Sequence, residues 1–291
     1  MLQTFPDSTL VLLGHGSTLN PDSAAPTHQH ADIIRQRNLF SQVLEGFWKE
    51  EPIFAAVLRG ALEPNVFIVP LFISDGYFTE EVIPRELGFP LIGENRYAKT
   101  RTAQGQTFYY CDPVGTHPGM TNALLARASA IVQQYPFPRA PRTQDIALFI
   151  AGHGTGNNEN SRIAIEAQMD IIRKLNLYAE VHAVFMEEEP RIADCYRMAS
   201  SRNIVMVPFF ISDGLHSYED IPVMLGEPER IVQTRFKAGQ PTWRNPSEKK
   251  GKLVWYTPSI GNEPFITEII LQRVREARNL HAPASGPLPV S

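Results

Sequence analysis

Two short apolar runs, at residues 11–16 (VLLGHG) and 149–154 (FIAGHG), each stop at Gly-His-Gly. A continuous apolar run of strand length reads as a strand buried on both faces, and the flanking glycines permit a tight loop that presents one imidazole. The same sequence of patterns follows each run. Strands at 9–14 and 146–152 lead into polar loops and helical periodicity at 24–37 and 161–175. Second strands end at Phe47 and Phe185, after which Pro52 and Pro190 are expected to open short helices, where a missing N–H costs nothing. Third strands, VFIVPLFI at 66–73 and IVMVPFFI at 204–211, are apolar throughout, as parallel strands covered by helices tend to be. Pro70 and Pro208 predict a bend near their ends. Fourth strands at 108–111 and 253–256 precede closing helices at 119–134 and 264–278.

His15 and His153 are 138 residues apart, and at that offset residues 14–88 align with 152–226 without a gap. Roughly 30 of about 75 positions are identical, which identifies an internal repeat. Beyond it the offset drifts: Thr100-Arg101 and Gly105-Gln106 recur as Thr234-Arg235 and Gly239-Gln240, and Gly115 and Pro118 pair with Gly261 and Pro264. Strands alternating with helices predict an α/β protein of two small doubly wound, parallel-sheet domains. The predicted repeats are 1–137 and 145–279, the linker is 136–144, and the tail 280–291 is expected to be disordered.

Composition narrows the function. The chain has 291 residues, 43% of them hydrophobic, enough for two cored domains. A net charge of −4 gives no electrostatic case for nucleic acid, and no stretch reads as a signal peptide or membrane span, so a cytoplasmic protein is expected. Only Cys111 and Cys195 are present, at unrelated places, which argues against a disulfide framework or a thiolate metal site.

Ligands of open parallel sheets bind beyond the carboxyl ends of the strands. In the second repeat those three loops carry His153, the triplet Glu187-Glu188-Glu189, and His216. Two imidazoles and a carboxylate suit Co, Fe, Ni or Zn with coordination positions left open. The first repeat has His15, Lys49-Glu50-Glu51 and Phe78 at these places, which predicts a degenerate site. Phosphate binding is disfavoured by the lack of G-x-G-x-x-G or a Walker lysine, and serine hydrolysis by the lack of a G-x-S-x-G elbow.

The chain resembles the class II tetrapyrrole chelatases, of the sirohydrochlorin cobaltochelatase and ferrochelatase (CbiX) type. The motifs that carry the resemblance are GHGT at 152–155, FME at 185–187, GLHSYEDIP at 214–222 and PVGTHP at 113–118. It implies a chelatase fold in an internally duplicated form, two flavodoxin-like domains related by a pseudo-twofold, with Co²⁺ or Fe²⁺, and also Ni²⁺ or Zn²⁺, as a metal substrate and no organic cofactor. The metal would enter a tetrapyrrole in a cleft between the repeats. By position the metal-binding and catalytic residues map onto His153, Glu187 and His216, with Glu188 and Glu189 as alternatives for the carboxylate. Arg235 and Arg101 are candidate anchors for substrate carboxylates, Phe210 a candidate wall for the macrocycle, and Ser212 and Gly214 candidate contacts on its loop. The basic segment 233–252 lies outside the family pattern. A carrier that keeps the fold without turnover is the alternative, and both a monomer and a homo-oligomer are compatible with the duplication.

Overall fold

The computed structural model describes residues 3–154 and 159–281. In the first repeat β1 (Phe5–Gly14), α1 (Ala25–Gln36), β2 (Phe40–Phe47), α2 (Phe54–Arg59), β3 (Asn65–Pro70) and α3 (Ile83–Glu86) lead to a small hairpin of β4 (Leu91–Gly93) and β5 (Arg96–Tyr97). Strands β6 (Thr100–Ala103) and β7 (Gln106–Tyr110) and helix α4 (Met120–Gln134) complete it. The second comprises β8 (Ile146–Gly152), α5 (Asn160–Lys174), β9 (Glu180–Phe185), α6 (Cys195–Met198), β10 (Asn203–Pro208), α7 (Ile221–Met224) and α8 (Glu229–Lys237). It ends with β11 (Ser247–Lys249), β12 (Lys252–Tyr256) and α9 (Pro264–His281). Residues 282–291, most of the expected tail, lie outside the described residues, as do Thr155 and the three that follow it.

Both sheets have one topology. Their orders, β2-β1-β3-β7-β6 and β9-β8-β10-β12-β11, are doubly wound, with parallel pairing among the first four strands. The edge strands β6 and β11 run antiparallel to β7 and β12, so each sheet is the expected doubly wound parallel one with a single antiparallel edge strand added. A two-residue reversal suffices to add such an edge, whereas a parallel strand needs a long crossover.

Successive side chains of a strand face opposite ways, and this divides the core into three. Leu10 and Leu12 of β1 join Ile146, Leu148 and Ile150 of β8 in one central cluster. Val11 and Leu13 face an outer cluster with Phe54 and Val57, while Ala147, Phe149 and Ala151 face another with Met186 and Ile192. The central cluster also takes Met120, Leu124, Ile131, Ile266, Ile270 and Val274 from α4 and α9. These closing helices are exchanged: α4 packs on β10 and β12 of the second sheet, and α9 on β3 and β7 of the first. Each repeat, cut at its sequence boundary, therefore leaves part of the other's sheet uncovered.

Buried polar groups at this junction are paired twice over. His30 donates Nε2–H to the Gly261 carbonyl (2.6 Å) and accepts from the Thr267 hydroxyl at Nδ1 (2.8 Å). At the equivalent place Thr121 donates to Gln168 (2.6 Å), whose amide reaches the His117 carbonyl (3.3 Å). His30, with no motif to mark it, is thus a structural latch. Pro52 and Pro190 also differ from expectation. Neither opens a helix; their carbonyls accept from Phe47 and Phe185 N–H, 2.9 Å in each case, and so tie down the ends of β2 and β9. No described helix is long and apolar enough to cross a membrane.

Burial lowers the pKa of His30 below the ordinary 6.5, because the charged ring is deprived of water. Its contribution to stability is therefore full above the unfolded value and is lost as the pH falls below it. We expect His30→Gln, which installs the residue found at position 168, to flatten the fall in melting temperature between neutral and mildly acid pH. Unchanged steepness in melting curves across that range would refute the role given to His30.

Candidate functional site

The loop after β8 is shaped by close backbone approach. Gly154 has φ +67°, and a Cβ there would lie 2.6 Å from Glu188 Cγ and 2.9 Å from Phe185 Cβ, so only glycine fits. The His153 carbonyl accepts N–H groups from both Met186 and Glu187 (3.0 Å each), which ties the acidic loop to the histidine loop. His153 donates Nδ1–H to the Gly154 carbonyl (2.8 Å), which fixes the tautomer and leaves Nε2 with its lone pair available.

His216 opens a π-helical turn, residues His216–Asp220. The turn is pinned from beneath: Tyr256 donates its hydroxyl to the Ser217 carbonyl (2.7 Å), and Gly214 N–H bonds Ser217 Oγ (3.0 Å). From the first repeat, Asn20 donates to the Asp213 carbonyl (3.2 Å), while the Tyr218 hydroxyl reaches back to Asp22 (2.7 Å). His216 donates Nδ1–H to Asp220 (2.7 Å), again leaving Nε2 outward.

These loops bring the three expected residues together. The His153 and His216 rings lie 5.0 Å apart, edge to face, and His153 Nε2 is 3.6 Å from a Glu187 carboxylate oxygen. All three side chains are between 37% and 58% exposed, so the cluster is open to a ligand. Among the described residues no three His, Cys, Asp or Glu side chains close into a finished cage; the approach is pairwise. Within the triplet, geometry favours Glu187. Glu188 turns back to Arg162 (3.2 Å), and Glu189 pairs with Arg191 (3.5 Å). Arg162 stacks on Phe185 (4.5 Å) and donates to the Glu189 carbonyl, so it braces the acidic loop.

The first repeat keeps this scaffold and fills it differently. His15 donates to the Gly16 carbonyl as His153 does to Gly154 (2.9 Å), and residues Phe78–Val82 form the same π-helical turn, pinned by Tyr110 through Thr79 O (2.6 Å). Phe78, in the place of His216, packs among Trp48, Phe54 and Phe72 at ring separations of 5.1–6.5 Å. Lys49, in the place of Glu187, lies over Trp48 (5.7 Å). Ala24 stands where the second repeat has Arg162, and Glu50, the twin of Glu188, has a buried Oε1 without a hydrogen-bond partner. Sequence reasoning missed Arg162 and Asp220. The signal was present in the repeat, as Ala24 against Arg162 and Val82 against Asp220.

The substrate-contact candidates separate. Phe210, Ser212 and Gly214 line a cavity of about 240 Å³ with His216 and with Ile73 of the first repeat, and Phe210 lies 6.5 Å from His216. Arg235 and Arg101 are not brought to the cluster. Arg235 is on α8, paired with Glu227 (3.2 Å) and bonded to the Thr242 carbonyl (3.2 Å). Arg101 is on β6, its guanidinium 3.9 Å above the Phe108 ring, where burial lowers its pKa. One lies on a helix and the other on a strand, so the apparent Thr-Arg repeat is not a structural one. The segment 233–252 itself holds the end of α8, a loop and the hairpin of β11 with β12.

Comparison with known proteins comes from sequence and from structure. The CbiX family model matches residues 9–131 and again 147–277. A probable sirohydrochlorin cobaltochelatase of Halobacterium salinarum is 40% identical over 278 residues, covering 92% of this chain and 91% of that one. The crystal structure of DR2241 from Deinococcus radiodurans, a multi-domain protein with structural similarity to chelatases and two additional domains, superposes with a TM-score of 0.74 at 29% identity. The superposition covers 93% of this chain and 55% of DR2241, so the chain spans about half of that protein. SirB from Bacillus subtilis, solved with Fe³⁺, shares the fold, with a TM-score of 0.65, 17% identity and coverage of 94% and 97%.

The position of Glu187 leads to a test within the triplet. Glu187→Gln is expected to weaken Co²⁺ binding by about 10- to 100-fold, and Glu189→Gln to leave it within about twofold. Isothermal titration with Co²⁺ alone reads both, and an equal loss from the two variants would remove Glu187 from the site.

Proposed function

The chain belongs to the CbiX family, and on that footing we propose that it is a metal chelatase inserting Co²⁺ or Fe²⁺ into a sirohydrochlorin-like tetrapyrrole. The observation that carries the proposal is His153 standing beside both Glu187 and His216 at the carboxyl end of the second sheet, while the first repeat has Lys49 and Phe78 at the matching places.

Insertion requires a divalent ion to exchange its ligands for four pyrrole nitrogens while two pyrrole N–H protons leave. Both imidazoles engage Nδ1 in a hydrogen bond, and so offer Nε2 as neutral donors that hold an ion without the permanence of a thiolate cage. Glu187 adds one negative charge. When the ion passes to the macrocycle, the freed Nε2 lone pairs of His153 and His216 accept the two pyrrole protons, one each, and release them towards solvent, His153 by way of the adjacent Glu187 carboxylate. Phe210 and Ile73, from opposite repeats, offer apolar walls for the planar substrate. The ligand set suits cobalt and iron alike.

One chain supplies both sides of this cleft, so a monomer suffices. The two buried cysteines are unpaired, which agrees with a reducing, cytoplasmic setting.

We expect His153→Ala or His216→Ala to lower metal insertion at least about 100-fold, and His15→Ala to retain most of it. The assay is the change in the tetrapyrrole absorption spectrum on adding Co²⁺ or Fe²⁺ to sirohydrochlorin and protein. A wild-type rate equal to the uncatalysed one would overturn the chelatase reading in favour of a carrier; equal loss from His15→Ala would overturn the asymmetry between the repeats.

A further inference from the structure

His216 and Asp220 occupy the first and last positions of one π-helical turn, with Nδ1 and Oδ2 2.7 Å apart. A carboxylate only accepts, so the proton sits on Nδ1 and the lone pair on Nε2. Among the described residues Asp220 has no other hydrogen-bond or ion-pair partner, and its side chain is 46% exposed. Neither packing nor capping accounts for it.

The internal repeat provides a control built into the same molecule. Residues Phe78–Val82 form the same turn, held by the same devices: a tyrosine hydroxyl on the carbonyl of the second residue, and that residue's hydroxyl on the preceding glycine N–H (3.0 Å in both repeats). Yet the first and last residues differ together, Phe and Val standing in place of His and Asp, and Val82 is buried. The turn therefore forms without the carboxylate. Asp220 is present where the imidazole is present and absent where it is absent.

We infer that Asp220 is a positioning residue: by accepting Nδ1–H it fixes the ring orientation and tautomer of His216, so that Nε2 faces the metal. This rests on the reading of His216 as a metal ligand. Carboxylates behind metal-binding imidazoles act in this way, and their loss costs about 10- to 100-fold in affinity.

The test uses the full chain with Asp220→Val, which copies the first repeat, and Asp220→Asn, which keeps an acceptor and drops the charge. Asp220→Val is expected to weaken binding of Co²⁺ alone about 10- to 100-fold and to slow insertion, with an unchanged melting temperature; Asp220→Asn is expected to lose less. In a His216→Ala background, Asp220→Val should have no further effect. ¹⁵N NMR of the imidazole should show His216 as the Nδ1–H tautomer in the wild type and shifted towards Nε2–H in Asp220→Val. Wild-type Co²⁺ affinity in Asp220→Val, the same additional loss in the His216→Ala background, or an unchanged tautomer would each overturn the inference. Should Asp220→Val melt early, the Asp220→Asn affinity and the wild-type tautomer decide alone. A wild-type protein that binds Co²⁺ but inserts none would instead count against the chelatase reading, leaving the tautomer result to judge Asp220.

Discussion

The exchange of closing helices is the constraint on which the rest depends. Because α4 covers the second sheet and α9 the first, neither sheet is fully buried until both repeats are folded. The latches that accompany the exchange, His30 with Thr267 and Gln168 with Thr121, are fully or nearly buried, and an unmade bond there would cost about 1–3 kcal/mol per group. The pairing thus fixes how the carboxyl ends of the two sheets face one another. It also sets Ile73 of the first repeat in the wall of one cavity with Phe210 and His216 of the second.

Duplication has separated what the fold requires from what the chemistry requires. Gly-His-Gly, the bond from the histidine to the next carbonyl, the π-helical turn and its tyrosine pin survive in both repeats. These satisfy backbone groups or permit close approach, so their loss would cost stability in either half. The side chains carried on that scaffold differ in groups: Arg162, Glu187, His216 and Asp220 against Ala24, Lys49, Phe78 and Val82. In the first repeat an aromatic cluster fills the place of the second imidazole, and desolvation favours phenyl over imidazole there. Glu50, left with a buried unpaired oxygen beside Gly16, is a trace of the bracing that Arg162 still gives Glu188.

By itself the sequence determined the repeat, the doubly wound order of strands and helices, and the three loops of the second repeat that carry His153, Glu187 and His216. These follow from local rules: apolar runs make buried strands, glycines make tight loops, and strand ends of parallel sheets gather loops on one edge. Only the tertiary structure decided which helix covers which sheet, since an apolar helical face is equally satisfied by either. It also decided that Glu187 rather than its neighbours approaches His153. It showed that Arg101 and Arg235 sit on unlike elements with partners of their own. A short identity such as Thr-Arg specifies no geometry, because ion pairs and ring contacts are made with residues distant in the chain. Such long-range partners are fixed only when the core has packed.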